Sequence, residues 1–133
     1  MFFLAKYENA TLNVDEPKYY EVTEGEACEN GEAMVLSGGK LTKCGPTVKP
    51  QYVAMKALGA DAEKREIPTV RVDENQLWRV AVNEDPTALT PGAKVTIGDD
   101  ALTVTATTTS GVATIENLAG AEKSGDEIYV RFI

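Results

Sequence analysis

Histidine is absent from all 133 residues. That removes the commonest general base and metal ligand, together with every Ser-His or Cys-His nucleophile pair. No stretch approaches the ~20 apolar residues a membrane span requires. The opening Met1-Phe2-Phe3-Leu4-Ala5-Lys6 lacks a basic n-region and a long apolar h-region, so no secretory signal peptide is expected. Basic residues are scarce, 13 against 21 acids, giving a net charge of −8. Long-range repulsion then disfavours nucleic acid and anionic membranes as partners. Cysteine occurs twice, at Cys28 and Cys44. Without histidine the two cannot close a structural zinc site unless carboxylates help. If 32–36 and 40–44 pair about Gly38-Gly39, Cys44 faces Glu32 and Cys28 lies four residues further along. A disulfide would then need a loop to fold back, so two buried or half-buried free thiols are expected.

The residues that are present offer little chemistry. Ser37, Ser110 and Ser124 all sit in glycine-flanked turns. Gly38-Gly39-Lys40 lacks the upstream glycine spacing, the following Ser/Thr and the helix of a phosphate loop, and reads as a hairpin turn. Asp99-Asp100 is a hairpin tip whose carboxylates point apart and stay wet, so neither gains the raised pKa of a general acid. Glu21, Glu24, Glu26, Glu29 and Glu32 crowd one segment just after Asp15 and Glu16. A solvated edge is preferred there over a cation site or a surface for a basic partner. Trp78 shares a face with Val80 and Val82, opposite Leu77, and reads as core. Tyr19-Tyr20 is the one other aromatic pair available as a sugar-stacking platform. Neither a catalytic residue, a cofactor nor a metal ligand is assigned, and the chain is not expected to be an enzyme.

What fills the sequence instead is β patterning. In 94–109, Val95 and Ile97 share a face, Gly98-Asp99-Asp100 turns the chain, and Leu102, Val104 and Ala106 alternate with Thr103, Thr105 and Thr107. This predicts a half-buried antiparallel hairpin with threonines on the wet side. Further strands are expected at 18–23, 32–36, 40–44, 51–58, 67–73, 77–82, 112–118 and 127–133, whereas 57–66 reads as a loop with at most one helical turn. The fold class is therefore all-β, a small antiparallel barrel or sandwich with little helix. Residues 1–13 are expected to form an N-terminal arm or edge strand, and 14–133 a single β domain. The segment 83–92 is a possible boundary between 14–82 and 93–133, but one domain is preferred because the C-terminal piece would hold few strands.

A local pattern recurs. Gly31, Gly92 and Gly125 each follow Asn, Pro or Ser and precede apolar residues at +3 and +5. Any tight turn entering a half-buried strand looks like this, and that explanation is preferred to an internal duplication.

Residues 18–58 resemble the opening of small head-decoration and head-fibre proteins of tailed phages. The resemblance is carried by Gly25-Glu26-Ala27 leading to Gly31-Glu32-Ala33-Met34-Val35-Leu36, by the Gly39-Lys40-Leu41-Thr42-Lys43 hairpin, and by Tyr52-Val53-Ala54. Ile67-Pro68-Thr69-Val70-Arg71-Val72 also suits it. The resemblance implies a capsid-surface protein that binds the major capsid protein as a homotrimer after the shell forms. It would then occupy the virion, or the host cytoplasm before assembly. Phe2, Phe3, Leu4 and Tyr7 are the candidate partner-binding residues, because they are costly to leave in water near a chain end. The alternative is that they form the first strand of the domain's own sheet. A non-catalytic carbohydrate- or cell-surface-binding module is the alternative function.

Overall fold

A computed structural model of the chain describes residues 1–7 and 16–133. Residues 8–13 of the expected N-terminal segment lie outside the described residues. The described chain forms ten strands and no helix. They are β1 Phe3–Tyr7, β2 Lys18–Glu21, β3 Ala33–Ser37, β4 Lys40–Lys43, β5 Tyr52–Ala54, β6 Glu66–Arg71, β7 Gln76–Ala81, β8 Lys94–Val95, β9 Ala113–Asn117 and β10 Glu127–Arg131. Two five-stranded antiparallel sheets pack as a sandwich, ordered β2-β6-β5-β3-β4 and β1-β7-β10-β9-β8. Among the described residues no helix is long and apolar enough to cross a membrane.

Two expectations need correction. Ser37 pairs with Lys40 and Leu36 with Leu41, so the β3–β4 register differs by one residue from the expected one. Gly38 and Gly39 both have positive φ, +59° and +82°, as the two central residues of a type I′ turn do. Cys44 consequently bonds Ala33, its N–H donating to the Ala33 carbonyl at 2.9 Å, instead of facing Glu32. The hairpin expected over 94–109 survives only in part. Its regular strand is Lys94–Val95, and the return is held by single contacts such as Ile97 with Val104 and by Thr96 and Thr105 hydroxyls 2.7 Å apart. Thr96 is buried, although it alternates with the core residues Val95 and Ile97.

The sheets carry the same topology twice. Tyr20 pairs with Ile67 as Val80 pairs with Ile128, and Val53 pairs with Val70 as Thr114 pairs with Arg131. Met34–Tyr52 corresponds to Val95–Ala113 in the same way. Each counterpart lies roughly 60 residues on, the signature of a tandem repeat. The irregular contacts repeat too. Parallel bridges Val22–Leu41 and Val82–Val104 bring the segment that stands fifth in sheet order, β4 in the first repeat and the stretch around Val104 in the second, back to the first strand of its repeat. Thr23 N donates to Leu41 O at 2.9 Å, and Asn83 N to Val104 O at 2.8 Å. Gly31 N donates to Ala54 O and Gly92 N to Ile115 O, both at 2.7 Å. A glutamate in the loop after each first strand accepts a backbone N–H of the fifth segment, Lys43 to Glu26 at 2.7 Å and Ala106 to Glu84 at 2.9 Å.

The repeats therefore run from β2 to β6 and from β7 to β10. The recurring turn-glycine pattern at Gly31 and Gly92 is a true duplication, whereas Gly125 enters β10 and belongs to a different step. The segment 83–92 lies inside the second repeat, between β7 and β8.

Each repeat wraps its own interior. Val22, Cys28, Met34, Leu41, Ala54 and Ile67 form the first. Their counterparts Val82, Leu89, Val95, Val104, Ile115 and Ile128 are buried in the second. That second core continues through Ala33, Cys44 and Val53 on the opposite face of the first sheet, which joins the two sheets. Trp78, 1% exposed, packs on Phe132 within it, as its position beside Val80 and Val82 predicts.

Arg65 closes one end of the first repeat. It is buried, and its guanidinium donates to the carbonyls of Gly59 (2.8 Å), Ala60 (3.2 Å), Thr23 (2.8 Å) and Glu26. Its counterpart Asp126 reverses the polarity, accepting the N–H groups of Glu122 at 2.9 Å and Lys123 at 3.2 Å. Arg65→Met would withdraw the buried guanidinium from all four carbonyls, of which Thr23 O and Gly59 O also accept a backbone N–H. It is expected to destabilise the fold by about 2–4 kcal/mol in urea titrations. A loss under half of that would show the carbonyls to be satisfied without Arg65.

Candidate partner interface

The sequence-selected residues Phe2, Phe3, Leu4 and Tyr7 do not form one surface. β1 pairs antiparallel with β7, Phe3 opposite Arg79 and Leu4 opposite Trp78, so the segment is an edge strand of the chain's own sheet. Alternation then divides the residues. Phe2 is 2% exposed, its N–H donates to Gly31 O at 2.9 Å, and its ring lies 5.5 Å from that of Phe132. It is a core residue and is unavailable to a partner. Leu4 is partly buried against the same core, and Tyr7 is half-buried. Phe3 alone projects, 50% exposed, with the Arg79 guanidinium 4.7 Å above its ring. Arg79 in turn pairs with Glu127 at 3.1 Å.

Gly31 shows how tightly the N-terminus is seated. Its φ is +84°, and a Cβ there would come within 2.1 Å of Met1 Cγ. The counterpart Gly92 has a similar φ of +90° but open space around it. The glycine of the first repeat thus serves both the turn and the crossing of the N-terminal strand.

An open groove of about 270 Å³ runs between this strand and the first sheet, lined by Met1, Phe3, Leu4, Met55, Val70 and Trp78 among others. Met1 and Met55 stand 49% and 44% exposed at its rim beside Phe3. The residues lining it include no charged side chain, unusual on so acidic a chain. A larger depression of about 580 Å³ mixes Lys49 and Arg71 with Asp73 and Glu74, and Val72 is the one apolar residue lining it.

The acidic segment is partly built into the fold. Glu26 accepts from the Thr42 hydroxyl at 2.8 Å and from Lys43 N, and Glu21 lies 3.7 Å from Lys40. Glu32 is buried, and its Oε2 has no hydrogen-bond partner among the described residues. Burial pushes its carboxyl up to about 7, against the opposing pull of Lys43. Among the described residues no group of three or more Cys, Asp or Glu has metal-binding geometry. Asp100 caps its turn by accepting from Leu102 N at 2.9 Å and the Thr103 hydroxyl at 3.0 Å. Cys28 and Cys44 are free and belong to different cores, with the Cys44 thiol pushed up to about 12 by burial. With Trp78 buried, the sugar-stacking platform reduces to Tyr19, since Tyr20 turns inward to hydrogen-bond Tyr52 at 2.9 Å.

No protein-family model matches the chain. No curated protein matches it in sequence either. Among solved structures, the chain is similar to the head fiber gp8.5 N base of bacteriophage phi29, with a TM-score of 0.59 and 14% identity. The match covers 88% of this chain and 94% of that one. The two share a fold across nearly their whole length, in agreement with the head-fibre resemblance read from residues 18–58.

Phe2→Ala is expected to cost about 3–5 kcal/mol of stability, as for other large buried aromatics, while Phe3→Ala stays within about 1 kcal/mol. Equal effects in chemical denaturation would contradict the division of β1 into a core face and an exposed face. Glu32 titrates differently. Its folded-state carboxyl holds a proton more tightly than the ordinary 4.5, so its protonated form stabilises the fold fully below about pH 4.5. That contribution, up to about 3 kcal/mol, is lost as the pH rises through 7. Glu32→Gln should therefore flatten the decline in stability between pH 5 and 8 and melt above the wild type at pH 8. Identical slopes for both proteins would refute it.

Proposed function

We propose that the chain is a structural protein of a phage head that binds the outer surface of the capsid as a homotrimer. The observation that carries this reading is the head-fibre-base fold over 88% of the chain. The apolar rim formed by the Met1, Phe3 and Met55 side chains is compatible with it, because exposed apolar patches bordered by polar surface mark protein contacts. Binding of this kind needs shape and apolar anchors and no catalytic group, and the chain's only indole is committed to the core. The partner is the major capsid protein. The anchors on this side are Phe3 and Met55 in place of the buried Phe2. Attachment would carry the protein from the host cytoplasm to the virion.

Co-sedimentation with shells assembled from the major capsid protein of the same genome tests the proposal. The wild-type protein is expected to pellet with shells, and Phe3→Glu with Met55→Glu to weaken attachment at least tenfold without loss of folding. Sedimentation of the free protein should give the mass of three chains. Failure of the intact protein to pellet with shells would refute the proposal.

A further inference from the structure

The two repeats differ at one edge. In the second, the first strand β7 is covered on its outer side by β1, with Phe3 opposite Arg79. In the first, the corresponding strand β2 ends its sheet; just beyond it Thr23 N donates to Leu41 O of β4 on the outer side, but among the described residues no strand pairs with that side at Lys18 and Tyr19. The residue equivalent to Arg79 is Tyr19, one step before Tyr20 as Arg79 is one step before Val80. Val22 N donates to Arg65 O, so by alternation Tyr20 and Val22 aim their backbone groups at β6. The N–H and C=O of Tyr19 then point to the open edge, as those of Arg79 point to β1. Tyr19 is 58% exposed.

We propose that this edge of β2 accepts an added strand, antiparallel and centred on Tyr19, and that the occupant is an extended basic segment of the capsid subunit. The chain itself shows the geometry, since β1 sits on the equivalent edge one repeat away. Charge selects the occupant. Glu16 precedes β2, Glu21 ends it with Glu66 opposite, Lys18 in the strand and Lys40 beside Glu21 offset part of these acids, and the whole chain carries −8. A second copy would bring like charge, whereas a lysine- or arginine-bearing strand is attracted. Main-chain hydrogen bonds would supply affinity and the flanking acids selectivity. The free side of β1 is a poorer acceptor, because the register shift between Leu4 and Lys6 breaks its ladder.

The identity of the occupant rests on the capsid-binding proposal, but the strand-accepting edge is testable without it. A fluorescent peptide carrying the Phe2–Tyr7 sequence between lysines is titrated into the intact protein by anisotropy. Saturable binding is expected, weakened at least tenfold when alternate peptide amides are N-methylated, and likewise for Tyr19→Pro. Proline at 19 removes an N–H that β6 does not use, so the melting temperature should hold. Should that variant misfold, the methylated peptide against wild-type protein still decides. No binding, or equal binding of the methylated peptide, overturns the proposed edge. On shells, a benzoylphenylalanine at position 19 should crosslink to a Lys/Arg-containing segment of the capsid subunit. Crosslinks only between copies of this chain, or none from a protein that still pellets with shells, overturn the occupant. A wild-type protein that takes the peptide but never pellets with shells overturns the occupant together with the capsid-binding reading, and leaves the edge standing.

Discussion

The first sheet has to cover two cores at once, and most other features depend on that demand. Along β3, Ala33 and Val35 face the core shared with the second sheet, while Met34 and Leu36 face the interior of the first repeat. Val53 and Ala54 of β5 divide in the same way. A strand buried on both faces has no wet side, which is why Ala33-Met34-Val35-Leu36 and Tyr52-Val53-Ala54 read as nearly unbroken apolar runs. A one-residue slip would exchange the two sets, driving Met34 into the place where Ala33, fully buried, meets the other sheet. The Gly38-Gly39 turn fixes the register, and the Ala33 N–H, donating to Ala101 O at 2.8 Å, anchors the strand to the second repeat.

Duplication doubles a topology without doubling its chemistry. The mouth of the first repeat holds Tyr20 and Tyr52, rings 4.8 Å apart and hydroxyls bonded, where the second has Val80 and Ala113. The second instead fills its wider end with Trp78, Phe132 and Phe2. That aromatic plug explains why the N-terminal strand belongs where it does: β1 has to lie on β7 for Phe2 to reach Phe132. Arg65 and Asp126 show the same freedom, one donating to carbonyls and the other accepting from amides at the equivalent step before the last strand.

Much of the architecture was legible because strands bury alternate residues. Ile128, Val130 and Phe132 lie in the core while Tyr129 and Arg131 do not, as their period of two predicts. The 94–109 segment misled for the same reason that made it attractive: its alternation is regular, but the fifth segment of each repeat must also bend to bridge the first strand, which breaks the ladder after Val95. The duplication was faint because most of its counterparts share polarity and not identity, with Val22 and Val82, and Gly31 and Gly92, as exceptions. Cys28 stands where Leu89 does, Met34 where Val95 does, and Leu41 where Val104 does. Only register pairs that the folded chain supplies reveal the correspondence. For the interface, sequence identified an apolar N-terminus but not which ring it would bury, since the Phe2–Phe132 contact joins opposite ends of the chain.

An exposed strand edge and an apolar rim are both hazards, since either invites pairing with another copy. Charge answers part of that hazard. Glu16 and Glu21 flank the exposed Tyr19, Lys40 pairs with Glu21 while remaining 44% exposed, and the excess of acids repels a second copy before backbone groups can meet. The rim is protected differently. Arg79 sits over the Phe3 ring and is itself held by Glu127, so the most exposed apolar ring carries a paired charge on one face. A partner with basic side chains at the edge and apolar ones at the rim would satisfy both sites, and a like-charged neighbour neither.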